Sequence, residues 1–218
     1  MKRATAPKAV VFDLDGTLLD SLSFVLEALQ QALKPYGQRP TMDIFPQLGG
    51  PPEKFLQALV PDPRHVPVVL ERLAEYHRVN GHLLRPFPGV AALLEELQRR
   101  GVRIAIWTGR DRVSTAWLLQ HHGLERYFGA VVCGDDLPTH KPSPEGLLEI
   151  MRRLDVTPGE TVFVGDADVD VLGGVSCGVD TLLIRHGREV DGALLAKCWH
   201  AVSSPQEAFD ALLALVKP

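Results

Sequence analysis

Residues 10–17 read Val-Val-Phe-Asp-Leu-Asp-Gly-Thr, an apolar run that ends in two carboxylates, Asp13 and Asp15, followed by Gly16 and Thr17. Side chains two apart on a strand share one face, so these carboxylates repel unless the chain bends after Asp13 or a cation lies between them. Such a pair can supply a nucleophile and an acid/base. Because Asp and Gly are ordinary turn residues, the motif alone could simply close a strand. Three further polar groupings argue otherwise: Thr108-Gly109-Arg110 after the apolar run 103–107, Lys141 within His140-Lys141-Pro142-Ser143-Pro144 beyond 130–133, and Gly165-Asp166-Ala167-Asp168-Val169-Asp170 after 161–164.

These runs, with 9–12 and 181–184, are short, rich in β-branched residues and separated by helix-length stretches, the alternation of a parallel sheet. They are almost continuously apolar, as strands covered on both faces are, so the expected class is α/β with a doubly wound parallel sheet. Ligands of such sheets bind beyond the carboxyl ends of the strands, where all four groupings would meet. Residues 89–101 place apolar side chains at helical spacing, acids before bases, and stop at Gly101; 144–154 and 167–177 read similarly. Residues 21–85 break the rhythm: they show no strand, and amphipathic helical patterns at 22–33, 52–60 and 66–79 are divided by Pro and Gly. The expected organisation is a core of residues 1–20 and 86–218 with a helical cap, 21–85, returning through the stiff hinge Arg85-Pro86-Phe87-Pro88-Gly89. The loop Gly49-Gly50-Pro51-Pro52 either faces the cleft or is a plain turn.

The 218 residues, 45% of them hydrophobic, can bury the core of one domain carrying an insertion. A net charge of -4 and scattered basic residues give no case for nucleic acid or a membrane surface. The basic N-terminus lacks the apolar stretch of a signal peptide and no run reaches membrane-span length, which points to the cytoplasm. Cys133, Cys177 and Cys198 lack CxxC spacing and read as buried free thiols. Asp135 and Asp136 read as a solvated loop, and His121-His122 as a helix end rather than a metal site.

Taken together, DxDGT at 13–17, Thr108, the Lys141-Pro142 pair and GDxxxD at 165–170 resemble the haloacid dehalogenase superfamily of phosphotransferases over essentially the whole chain. An insertion between the first two motifs is similar to the helical-cap subgroup, which includes phosphoglycolate phosphatases, β-phosphoglucomutases, phosphonatases and dehalogenases. The resemblance implies a Rossmann-like core and a Mg²⁺-dependent phosphomonoester hydrolase, phosphoglycolate phosphatase-like, acting on a small soluble phosphorylated metabolite. It makes Asp13 the nucleophile that forms an aspartyl-phosphate and Asp15 the general acid/base, a residue the family's dehalogenases lack. Thr108, the Gly109 amide and Lys141 would hold the phosphate. Mg²⁺ would take the Asp13 and Asp166 side chains and the Asp15 backbone carbonyl, with Asp170 acting through water or by orienting Lys141. Asp168 falls off the family spacing and reads as solvated or helix-capping. Arg110 also departs from the family pattern; its fork could grip a substrate carboxylate or second phosphate, or form a surface salt bridge.

Two alternatives remain at this stage. A sugar phosphomutase of the β-phosphoglucomutase type shares the core motifs, but its cap places a His and a Lys near the leaving group, and residues 21–33 carry neither. Lys34 and Lys54, the lysines of the cap, match no phosphonatase motif. A phospho-accepting receiver-like signalling module also gathers Asp, Thr and Lys at strand ends, but is about half this length and has no cap. The oligomeric state, monomer or homodimer, is open.

Overall fold

The structure is a computed structural model, and it describes residues 6–48 and 51–216. The basic residues 1–5 and the glycines Gly49 and Gly50 lie outside the described residues.

Six parallel strands, β1 (Ala9–Phe12), β2 (Arg103–Trp107), β3 (Ala130–Val132), β4 (Thr161–Gly165), β5 (Asp180–Ile184) and β6 (His200–Val202), form one sheet in the order β3-β2-β1-β4-β5-β6. The order reverses between β1 and β4, the crevice position where such sheets receive ligands. Alternate residues serve the two faces. Val10, Phe12, Ile104, Ile106, Val162 and Val164 pack with Leu93, Leu94 and Leu97 of α4 (Val90–Arg99) and with Phe209 and Leu212 of α9 (Pro205–Leu215). On the other face Val11, Ala105, Trp107 and Phe163 pack with Leu147, Ile150 and Met151 of α6 (Glu145–Leu154). The doubly wound core therefore stands as expected.

Three helices, α1 (Leu22–Leu33), α2 (Pro52–Leu59) and α3 (Val66–Asn80), follow β1 before α4 and β2. They close an apolar cluster of their own around Leu29, Leu33, Leu56, Val69 and Leu73. The two linkers that join them to the sheet pair with each other: Asp20 N–H donates to the Arg85 carbonyl and Phe87 N–H to the Leu18 carbonyl, both at 2.9 Å. The remaining helices are α5 (Arg112–His121), α7 (Asp168–Ser176) and the short α8 (Gly192–Leu195).

Some expectations need correction. The third run stops at Val132, because Cys133 N–H leaves the ladder to donate to the Asp136 carboxylate at 2.7 Å. Cys133 is buried, but Cys177 and Cys198 are only half-buried; all three are free thiols. Asp135 and Asp136 are not merely solvated, since Asp135 accepts the first amide of α5, Arg112 N–H, at 2.8 Å and Asp136 pairs with the Arg112 guanidinium. His121 ends α5 as expected and stacks on Trp117, with centroids 4.8 Å apart.

Candidate active site

β1 ends at Phe12, and the chain bends at once. Asp13 N–H makes one last bond to the Val164 carbonyl at 2.8 Å, and the Leu14 carbonyl then accepts the amides of Leu18 and Leu19 at 3.0 and 2.8 Å. This turn, with Gly16 at φ +77°, separates Asp13 from Asp15 and answers the crowding that their spacing would impose on a straight strand. Asp13 points to the sheet's carboxyl end, where Asp166 and Asp170 arrive from the loop after β4 and the first turn of α7. Lys141, in the loop between β3 and α6, completes the group, and all four side chains are buried.

Lys141 Nζ lies 2.6 Å from Asp13 Oδ1 and 2.8 Å from Asp170 Oδ1. Asp170 Oδ2 accepts the backbone amides of Asp166 and Ala167 at 3.1 and 2.9 Å, so this carboxylate both caps α7 and aims Lys141. Glycine makes the approach possible at two points. A Cβ on Gly16 would sit 2.5 Å from Asp166 Oδ2, and one on Gly165 would overlap the Asp170 carboxylate. Burial, opposed by Lys141 and reinforced by the charges of Asp170 and Asp15, pushes the Asp13 carboxyl up to about 7. Burial and then the charges of Asp13 and Asp170 push Asp166 well above the usual carboxylate range. Burial alone would lower Lys141, yet Asp13 and Asp170 raise it.

One ammonium does not balance these acids. Carboxylate oxygens of Asp13, Asp166 and Asp170 all lie within 4.8 Å of one another. An all-oxygen, strongly acidic buried set of this kind fits a hard divalent cation, which would relieve the repulsion that raises Asp13 and Asp166. Asp170 is already bound by two amides and Lys141, which leaves Asp13 and Asp166 the freer donors; Thr17 Oγ1 donates to Asp166 Oδ1 at 3.4 Å.

Thr108 follows β2, is buried, and bonds by its amide to the Val132 carbonyl at 3.0 Å while its hydroxyl accepts Arg110 N–H at 3.1 Å. Gly109 packs so tightly on Gly134 that no Cβ would fit at Gly134. Arg110 is neither free nor on the surface: Nε and Nη2 donate to Asp15 Oδ2 and Oδ1 at 2.9 and 2.6 Å, and its side chain is 7% exposed. Against the effect of burial, this guanidinium holds the Asp15 carboxyl below its ordinary range. Asp168 likewise has a partner, Arg188 Nη2 at 2.6 Å, which corrects the solvated or capping reading.

Sequence reasoning missed three contributors. His77 of α3 reaches the charge field of Arg110 and Asp15; burial and then Arg110 hold it down to about 4, and its ring meets Phe24 edge-on with centroids 5.0 Å apart. His186 Nε2 lies 2.6 Å from the Gly16 carbonyl, and Arg188 donates to the Asp166 carbonyl at 3.1 Å. His77 carried no signal beyond its place in an amphipathic helix, and His186 and Arg188 sit in a loop after β5 without a motif.

Residues 10–184 match the family model of the haloacid dehalogenase-like hydrolases, a span that takes in all four polar groupings and the helical insertion. The chain belongs to this family. Among its relatives, the plasmid phosphoglycolate phosphatase of Cupriavidus necator is 33% identical over 94% of this chain and 92% of its own. A phosphorylated carbohydrates phosphatase of Thermotoga maritima is 29% identical, covering 94% and 98%. A hydrolase structure from Pseudomonas syringae superimposes with a TM-score of 0.79 over 94% of this chain and 97% of that one, at 23% identity, and so shares its fold. Among the described residues no helix is long and apolar enough to cross a membrane.

Proposed function

We propose that the chain is a Mg²⁺-dependent phosphomonoester hydrolase that works through an aspartyl-phosphate on Asp13, with the helical insertion as its cap. The observation that carries this is the placement of Lys141 between Asp13 and Asp170, with Asp166 alongside, at the switch point of the sheet. Asp13 and Asp166, with the Asp15 backbone carbonyl, would hold Mg²⁺, which supplies charge neutralisation to the phosphoryl group.

Lys141 fixes one Asp13 oxygen and offsets its charge, leaving the other oxygen to attack phosphorus as the ester P–O bond breaks. The Thr108 hydroxyl, the Gly109 amide and Lys141 hold the phosphoryl oxygens. Paired with Arg110 the Asp15 carboxyl is ionised, so it takes up a proton from solvent only once the guanidinium has turned away; it gives that proton to the departing alkoxide and, as carboxylate, then takes one from the water that cleaves the acyl phosphate. This requires Arg110 to release at least one Asp15 oxygen, and a carboxylate or second phosphate on the substrate is the anion its fork would take instead. The relatives named phosphoglycolate phosphatase support that substrate class. Water rather than a sugar phosphate is favoured as acceptor, because α1 carries neither His nor Lys.

Phosphate release from p-nitrophenyl phosphate, 2-phosphoglycolate, sugar phosphates and pyrophosphate with Mg²⁺ tests this function. Repeated turnover is expected, and Asp13→Asn should abolish it with the fold intact. One stoichiometric phosphorylation without turnover would indicate a receiver-like module, and Asp13→Asn activity within about tenfold of wild type would remove the nucleophile.

A further inference from the structure

The floor beneath Lys141 is aromatic. Trp107, the last residue of β2 and 3% exposed, packs against Phe163 of β4 with ring centroids 5.2 Å apart. Lys141 Nζ lies over both rings, 5.2 Å from each centroid, within the range at which a cation is drawn to a π face. The indole sits in a slot built by two helices. A Cβ on Gly146 of α6 would overlap its Nε1, and one on Gly173 of α7 would lie 2.8 Å from its Cη2. With Phe163 and both glycines around it, the ring has one place to lie.

The ammonium has three N–H donors. Asp13 and Asp170 engage two of them, and a buried ammonium held only by those two carboxylates would be free to tip between them. Two ring faces stabilise the charge from below without taking a donor. We propose that Trp107 is the positioning residue of this site: its indole, with Phe163, holds the Lys141 ammonium up against Asp13 and Asp170 and leaves the third N–H free for a phosphoryl oxygen. The catalytic consequence rests on the phosphatase function proposed above, whereas the ring contact itself does not.

The two parts are measured separately. In protein labelled with ¹³C at lysine Cε, the Lys141 methylene protons should be displaced upfield by ring currents, the signal being assigned by its loss in Lys141→Arg. Trp107→Phe keeps a ring and should retain most of the displacement, with kcat within about threefold of wild type. Trp107→Leu should move the signal towards the ordinary lysine position and lower kcat on the order of tenfold while KM changes far less. Gly146→Ala, which pushes the indole from the α6 side, should reproduce both effects and serves if Trp107→Leu does not fold. A folded Trp107→Leu or Gly146→Ala protein with an unmoved Lys141 signal, or equal kcat for the Phe and Leu variants, overturns the inference. Absence of wild-type turnover on every phosphomonoester would instead remove the phosphatase function, and the lysine signal would still decide whether Trp107 holds Lys141.

Discussion

Replacing Arg110 by Gln tests the least expected contact of the site. The guanidinium makes two charge-assisted bonds to Asp15, at 2.9 and 2.6 Å, with side-chain exposures of 7% for Arg110 and 25% for Asp15. Exposed pairs contribute about 0–1 kcal/mol, and breaking a buried pair costs about 3–5 kcal/mol. With one partner a quarter exposed, the loss should fall between, at roughly 2 kcal/mol, or ~4–8 °C in Tm for a chain of this size. The sign with pH follows from the depressed Asp15 carboxyl. The stability the pair provides is fully present above the unfolded pKa of about 3.9, and is lost as pH falls through the lower folded value. Urea unfolding in EDTA at pH 7 should therefore separate wild type from Arg110→Gln, the gap should shrink once pH drops below about 4, and Asp15→Asn/Arg110→Gln should regain part of the loss. A gap under about 0.5 kcal/mol at pH 7, or one that does not change with pH, refutes the reasoning.

Lys141→Ala should lower the rate at least ~100-fold in steady-state kinetics and, because it leaves Asp13 and Asp170 facing each other, should enlarge the gain in stability that Mg²⁺ gives over EDTA in urea unfolding. Gly16→Ala places a Cβ 2.5 Å from Asp166 Oδ2 at φ +77°, so half-maximal activity should require at least ~10-fold more Mg²⁺, read from a metal titration. His77 resists protonation until about pH 4 in the fold, against 6.5 when free. Wild type thus loses stability as pH falls from 6.5 towards 4, and His77→Gln should lose about 2 kcal/mol less over that window in urea unfolding. Equal pH slopes for the two proteins would show His77 to be freely solvated.

What was legible in the sequence were features written locally. The runs ending at Phe12, Trp107 and Val164 are apolar on both faces and meet a polar residue at once or, after Val164, one glycine later, so strand, sheet class and the polar end of the sheet follow from a few consecutive residues. β6 escaped because His200–Val202 is three residues graded from exposed to buried, a strand only because β5 supplies its ladder. The partner of Arg110 was hidden for a different reason. Asp15 stands 95 residues away, and which carboxylate the fork meets is decided by how the loops after β1 and β2 converge. His77 is the same case across the insertion, its setting fixed by where α3 rests relative to Asp15 and Arg110.

The paired linkers have a mechanical consequence. Because Asp20 is tied to Arg85 and Leu18 to Phe87, the two crossings between the sheet and α1–α3 form a single ribbon rather than two independent tethers. A ribbon flexes about one axis and resists twisting or sliding, so the helices swing together or not at all. His77 rides on α3, so its place in the charge field of Asp15 and Arg110 is set by the angle of that ribbon.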